Sequence, residues 1–305
     1  MTELLIPLLA ATVQSGTPIL FATLGEMFTE KGGILNLGVE GMMSVAALAA
    51  FVTALSTGSP WLGFAAGGLA GMLLSLVHGL VCITCLGNQV VSGLALTILG
   101  LGLTTFLGTP FIGLSAPGFG KFAFPLLAQI PVLGDIFFRQ DALVYVSYCA
   151  PFVFWFFFHR TSLGLGVIAT GEYPRAAAAA GLKPVRLRYL AAASGGFLIG
   201  MGGAYLSLAY THLWTNGLSG GRGWIAVALV IFAFWKPGRA VVGAYLFGGV
   251  MAFQLRLQAS GTNLPSSLLL MLPYALTIMV LILSAFRGRG AQAPAALGTN
   301  IEPEG

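Results

Sequence analysis

Of the chain's 305 residues, 57% are hydrophobic and only 8% are charged, against about a quarter charged in a soluble domain. That balance excludes a water-soluble globule and predicts an all-α integral membrane protein. Fourteen Lys and Arg against nine Asp and Glu give a net charge of +5, but no basic run has the density of a nucleic-acid patch.

Three cysteines are too few for a disulfide framework, and Cys82-Ile-Thr-Cys85 has no second Cys or His pair to complete a metal site. From Met1 to Pro18 the chain is apolar, carries Glu3 and lacks a positive n-region, so it reads as the start of a first helix and not as a cleaved signal. Crossing the hydrocarbon takes about 20 apolar residues in a helix that satisfies its own backbone. Windows of that kind fall near 4–25, 33–55, 61–86, 89–112, 141–159, 189–212, 223–235, 240–257 and 265–285. The expectation is a polytopic bundle of about nine helices, within a range of about 8–10, whose short seventh member is a half-helix. Gly63, Gly67 and Gly71 recur every four residues, as do Gly196 and Gly200, a spacing that lets helices approach closely.

The stretch from Gly25 to Met43 places Glu26, Glu30, Asn36 and Glu40 within and between apolar segments. Ionisable groups are costly there and mark a pathway or a pairing. Gly32, Gly33, Gly38 and Gly41 would let the backbone break, so a re-entrant or broken segment is expected near 26–41. In a helix, Asn36 and Glu40 would share one face. The set reads as part of a translocation path or gate, with simple pairing as the competing reading. Asn88 suits a helix cap, while Gln89 and Ser92 are weaker path candidates.

Residues 121–140 carry Pro125, Pro131, Asp135 and Arg139 and read as an external loop with an interfacial piece. By contrast, 160–188 holds Arg160, Arg175, Lys183, Arg186 and Arg188 against Glu172 alone, which makes it cytoplasmic. Lys236 and Arg239, then Arg287 and Arg289, fall on the same side when spans are counted forward. Within this loop Pro174 suits a first helical turn, Ala176 to Ala180 are strong helix formers, and Gly181 is a stop. The resulting helix is too short to span and is shaped to dock in a groove. The transmembrane domain is read as 1–286, with 287–305 a short solvated cytoplasmic tail.

No G-x-x-x-x-G-K-[ST] loop is present; Gly118-Phe-Gly120-Lys121 lacks the required spacing. Nor is there an HExxH motif or a paired Ser and His motif, so no catalytic, metal or cofactor residue is assigned. An ion-coupled secondary transporter is the alternative class, and a membrane-embedded enzyme a third.

The Gly25–Met43 stretch, Asn88 to Gly93, Glu172-Tyr-Pro-Arg-Ala-Ala to Gly181, Gly221-Arg-Gly-Trp-Ile-Ala-Val-Ala and Trp235-Lys-Pro237 occur in this order. Together they resemble the permease subunits of bacterial ABC importers, closest to those for nucleosides and simple sugars within the ribose and branched-chain amino acid group. Even Pro294-Ala-Ala-Leu297-Gly298 is similar to their ending. One departure is Ala233-Phe234, where that family often has a glycine. The resemblance implies a multi-pass protein of the bacterial inner membrane, surrounded by lipid. It implies a pore completed by a second permease chain, related or identical, cytoplasmic subunits that bind the ATP, and an extracytoplasmic substrate-binding (lipo)protein. It also implies that Glu172, Tyr173, Pro174, Arg175, Ala176, Ala177, Ala178 and Gly181 form the helix coupling the pore to the ATPase, and that Glu30 to Gly41 lies by the path.

Overall fold

The computed structural model describes residues 2–261, 265–286 and 293–301. Its first half contains α1 (Thr2–Lys31), α2 (Val39–Thr57), α3 (Pro60–Gly79, prolonged by a π turn, Leu80–Thr84) and α4 (Gln89–Gly108). A two-stranded hairpin follows, β1 (Lys121–Ala123) and β2 (Arg139–Asp141), enclosing α5 (Leu133–Phe137). Next come α6 (Ala142–Arg160), α7 (Ser162–Glu172), α8 (Pro174–Ala179) and α9 (Pro184–Tyr205, prolonged by a π turn, Leu206–Tyr210). The last four are α10 (Arg222–Ala233), α11 (Pro237–Ala259), α12 (Ser266–Leu270) and α13 (Leu272–Phe286).

Among the described residues, seven helices are long and apolar enough to cross a membrane, and Arg222–Ala233 and Ser267–Val280 are shorter apolar helices. These nine correspond to the nine windows read from sequence. α10 is the expected half-helix: its 12 residues reach about 18 Å at 1.5 Å per residue, against hydrocarbon about 30 Å thick.

The middle of the bundle is α1, α2, α3 and α9, and its contacts are made of glycine. A Cβ on Gly71 would stand 2.6 Å from the Gly200 Cα, and one on Gly25 would stand 2.5 Å from the Gly195 oxygen. The periodic glycines therefore let α3 and α1 seat directly on the backbone of α9, where dispersion between close backbones replaces the hydrophobic effect that lipid removes. Replacing Gly200 with valine overpacks this crossing, where its Cβ would stand 2.9 Å from the Gly68 Cα. Overpacking costs about 1–3 kcal/mol, so the melting temperature in detergent should fall by roughly 5 °C; an unchanged melting profile would contradict the packing described.

Residues 121–140, read from sequence as a loop with an interfacial piece, carry more order than a loop. Lys121 pairs with Asp141 and Ala123 with Arg139 across the hairpin, and the opposite charges of Asp135 and Arg139 meet at 2.8 Å. Two features concern the end of the bundle that carries α7 and α8. The alanine helix α8 is six residues long, and Gly181, at φ +84°, turns the chain sharply after it, as the stop read from sequence. The second is that residues 293–301 lie against the bundle: Pro294 and Ala296 are buried while 293, 295 and 298–300 stay exposed, and the segment is hydrogen-bonded across the bundle end.

Candidate functional site

α1 reaches Lys31, and the chain then breaks. Gly33 takes φ +84°, a left-handed conformation that favours glycine, and residues 32–38 cross the bundle without helix. Burial of this link requires partners for its backbone groups. The Leu35 N–H donates to Gln89 Oε1 at 2.8 Å. The Leu35 oxygen lies 3.1 Å from His78 Nε2, which must donate because a carbonyl only accepts. That fixes the neutral tautomer, in which Nδ1 accepts the Ser92 hydroxyl at 2.9 Å. Gln89 and Ser92 thus hold the break from the side of α4, the second through His78. Asn88 is the cap expected of it, accepting the Val91 N–H at 3.0 Å.

Asn36 and Glu40 do not share a helix face. α2 starts only at Val39, and Asn36 stands in the link, its Oδ1 accepting the Gly38 N–H at 2.9 Å. The Asn side chain closes this turn onto its own backbone, which competes with helix formation. The Asn36 N–H in turn donates to Glu26 Oε1 at 3.1 Å, and Thr29 donates to Glu26 Oε2 at the same distance.

Glu40 reaches a distant element. Its Oε1 accepts from the Ser219 hydroxyl at 2.6 Å and the Gly221 N–H at 2.8 Å, while Oε2 accepts the Gly223 N–H at 2.7 Å. A carboxylate thus caps the N-terminus of α10, where orphan N–H groups and the helix dipole favour negative charge. Gly41, one residue on, packs on Thr97 and Leu96, midway along α4. The start of α2 and the start of α10 therefore meet at half the height of the bundle, two interrupted segments joined by one carboxylate. Glu30 closes the opposite end of α10, accepting Trp235 Nε1–H at 2.6 Å. Phe234 and Trp235 both take positive φ, +51° and +53°, a left-handed conformation that costs an ordinary residue about 1–2 kcal/mol and that a glycine adopts freely.

Of the six path candidates, Glu26, Glu30, Asn36, Glu40 and Gln89 are between 0% and 4% exposed and Ser92 is half-buried. They form a polar seam inside the chain around the break, and each carboxylate is hydrogen-bonded. Among the described residues, no group of three or more His, Cys, Asp or Glu is placed to hold a metal. Ser219 and His78, which the sequence leaves unmarked, and Trp235, marked there only within Trp235-Lys-Pro237, are partners reached only through the fold.

At the end of α1, α7 packs against it: a Cβ on Gly171 would stand 2.9 Å from the Lys31 carbonyl carbon and 3.1 Å from the Gly33 N. α8 follows directly, with Tyr173, Arg175, Ala176 and Ala179 exposed. Ala178 is half-buried, and Ala177 turns inward at 4% exposure. The alanine helix therefore leaves its Ala176 and Ala179 side exposed and turns its Ala177 side to its own bundle.

Two interrupted segments meeting at mid-height, beside a short helix with an exposed alanine side, suit the movement of a solute; the chain is a transport permease. It matches the family model for the branched-chain amino acid transport system / permease component over residues 8–281, and it belongs to that family. Over 256 residues it is 50% identical to a candidate glucose ABC transporter permease protein, TsgC13, of Haloferax volcanii, covering 83% of this chain and 78% of that protein. It is 33% identical to the guanosine ABC transporter permease protein NupQ of Bacillus subtilis, covering 97% of this chain and 96% of the relative. With the nucleoside ABC transporter permease protein NupC of Lactococcus lactis it shares 34% identity over 93% of each chain. No solved structure is significantly similar. The chain is accordingly the membrane-spanning subunit of an ABC importer, a multi-pass component of the plasma membrane that works with an ATP-binding subunit and a substrate-binding protein.

Proposed function

We propose that this chain forms half of the translocation pathway for a nucleoside or simple sugar. A second permease chain, related to this one, completes the pore, ATP is bound and hydrolysed on the partner subunits, and an extracytoplasmic lipoprotein delivers the substrate. The observation that carries the mechanical part is the exposed side of α8, next to the corner where Gly171 touches the end of α1. A push on α8 reaches α1 there, and through Lys31 and Gly33 it reaches the broken link. The substrate class is supported by the named transport of the relatives, NupQ and NupC for nucleosides and TsgC13 for glucose.

In this mechanism Glu26, Glu30, Asn36 and Glu40 act as the hinge and gate beside the path, with Gln89 and Ser92 holding the link from α4. Discontinuous helices supply backbone that rearranges without unpairing groups in lipid, because side chains take over the hydrogen bonds. The test is uptake of labelled guanosine and of labelled glucose by proteoliposomes holding the complete transporter. Uptake that requires internal ATP hydrolysis and the binding protein is expected for one of the two. Uptake driven by an ion gradient without ATP would overturn the reading.

A further inference from the structure

Residues 293–301 make neither helix nor strand with the bundle, yet they bind four separate parts of its cytoplasmic end. The Ala295 N–H donates to Glu172 Oε2 at 3.2 Å and the Ala296 N–H to the Gly171 oxygen at 2.9 Å, both at the corner between α7 and α8. The Gly298 N–H donates to the Gly33 oxygen at 3.3 Å, inside the break between α1 and α2. Asn300 Nδ2 donates to the Leu86 oxygen at 2.5 Å and the Gly87 oxygen at 3.3 Å, in the turn between α3 and α4. Gln89 Nε2 donates to the Thr299 oxygen at 3.4 Å and to Asn300 Oδ1 at 3.3 Å.

The fourth part is α9. Arg188, 1% exposed, donates through Nη1 to the Thr299 oxygen at 2.8 Å and through Nη2 to the Ala296 oxygen at 3.4 Å. Its Nε has no partner. A buried guanidinium held by carbonyls is costly to strip, so the segment and α9 are bound as a unit. Gln89 is shared between the two halves of this arrangement: its Oε1 holds the Leu35 N–H of the broken link and its Nε2 holds the segment.

We infer that residues 293–301 are a strut that carries displacement of the coupling corner to the broken link and to the start of α4. The inference rests on α8 being the coupling helix. The segment touches Gly171 and Glu172 at one end, Gly33 in the middle, and Gln89, Leu86 and Gly87 at the other. A shift of the corner therefore draws on the same hydrogen bonds that fix the link. The exposed side of α8 is left free, so the strut transmits motion and does not itself seat the ATPase.

The test uses the assembled transporter with a chain ending after Gln292, beside one carrying Asn300→Ala. For the truncated chain the expected result is normal membrane insertion, normal co-purification with the ATP-binding subunit, retained ATP hydrolysis and an about tenfold fall in uptake per ATP, within the range by which residues between two sites alter their coupling. Asn300→Ala, which leaves the backbone and Arg188 contacts in place, should give the same uncoupling to a smaller degree. Unchanged uptake per ATP in both proteins would overturn the strut. So would loss of co-purification in step with uptake, which would make the segment a docking surface. Failure of the coupling reading is seen separately, as full transport by a chain with Ala176→Glu.

Discussion

A transporter carrying Ala176→Glu or Ala179→Glu is expected to lose uptake and to release its ATP-binding subunit on purification, while the chain inserts in the membrane at normal levels. Both alanines lie on the exposed side of α8. Seating that side in a partner's groove would bury an unpaired carboxylate, and a buried charge without a partner costs about 3–5 kcal/mol, enough to reduce association by a factor of roughly 10²–10⁴. Insertion is unaffected because the helix lies outside the lipid. The inward position gives the contrast: Ala177→Glu would place its carboxylate inside the chain's own bundle, so its expected effect is loss of folded protein. If both exposed-side variants assemble and transport normally, the coupling contact is elsewhere, and Lys236 to Arg239 is the next cytoplasmic turn to test.

The second large effect is expected at Glu40. Its two oxygens accept from Ser219, Gly221 and Gly223, and glutamine cannot reproduce this. Whichever way the amide is turned, its NH₂ faces a backbone N–H, leaving a buried donor unpaired and the α10 terminus without its negative charge. Hydrogen bonds to charged groups contribute about 1.5–3 kcal/mol each, and a buried unpaired donor costs about 1–3 kcal/mol. Glu40→Gln should therefore lower the melting temperature by several degrees, an order of magnitude set by about 2–3 kcal/mol over a chain of this length. Uptake should fall with it, because the two interrupted segments lose their common anchor. Ser219→Ala removes one hydroxyl and leaves both N–H bonds, so a smaller loss is expected. Normal stability and transport in Glu40→Gln would show that this junction is not needed by either.

Much of the membrane architecture is legible in the sequence because apolar runs of helical length have few other solutions in lipid. Even the half-helix is visible, since the glycines from 215 to 223 shorten its window to about a dozen apolar residues. The break near 32–38 is announced by acids and glycines together. Its hydrogen bonds are not, because Glu40 meets Gly223 across 183 residues and Glu30 meets Trp235 across 205. No local periodicity encodes such pairings. The expectation that Asn36 and Glu40 share a helix face fails for a local reason: an Asn side chain that binds its own backbone two residues on favours a turn over a helix.

The direction of α8 is also unreadable from sequence. A run of identical alanines has no polar side to mark which face is buried, so Ala177 and Ala176 look alike until α7 and the bundle are in place. The segment 293–301 misleads because Pro, Ala and Gly suggest solvated chain. Its order comes from backbone groups and from Arg188, whose partners are carbonyls that any sequence would carry.

The most direct measurement is proximity of the α8 surface to the ATP-binding subunit in the intact transporter. With the exposed Cys85 and Cys149 replaced by serine, a benzophenone attached to Ala176→Cys should capture the ATP-binding subunit on illumination. The same probe on Ala123→Cys, in the external hairpin, should not. Capture from position 176 alone is the result predicted by coupling through α8; failure to capture the subunit from position 176 in a transporter that still takes up substrate would contradict it.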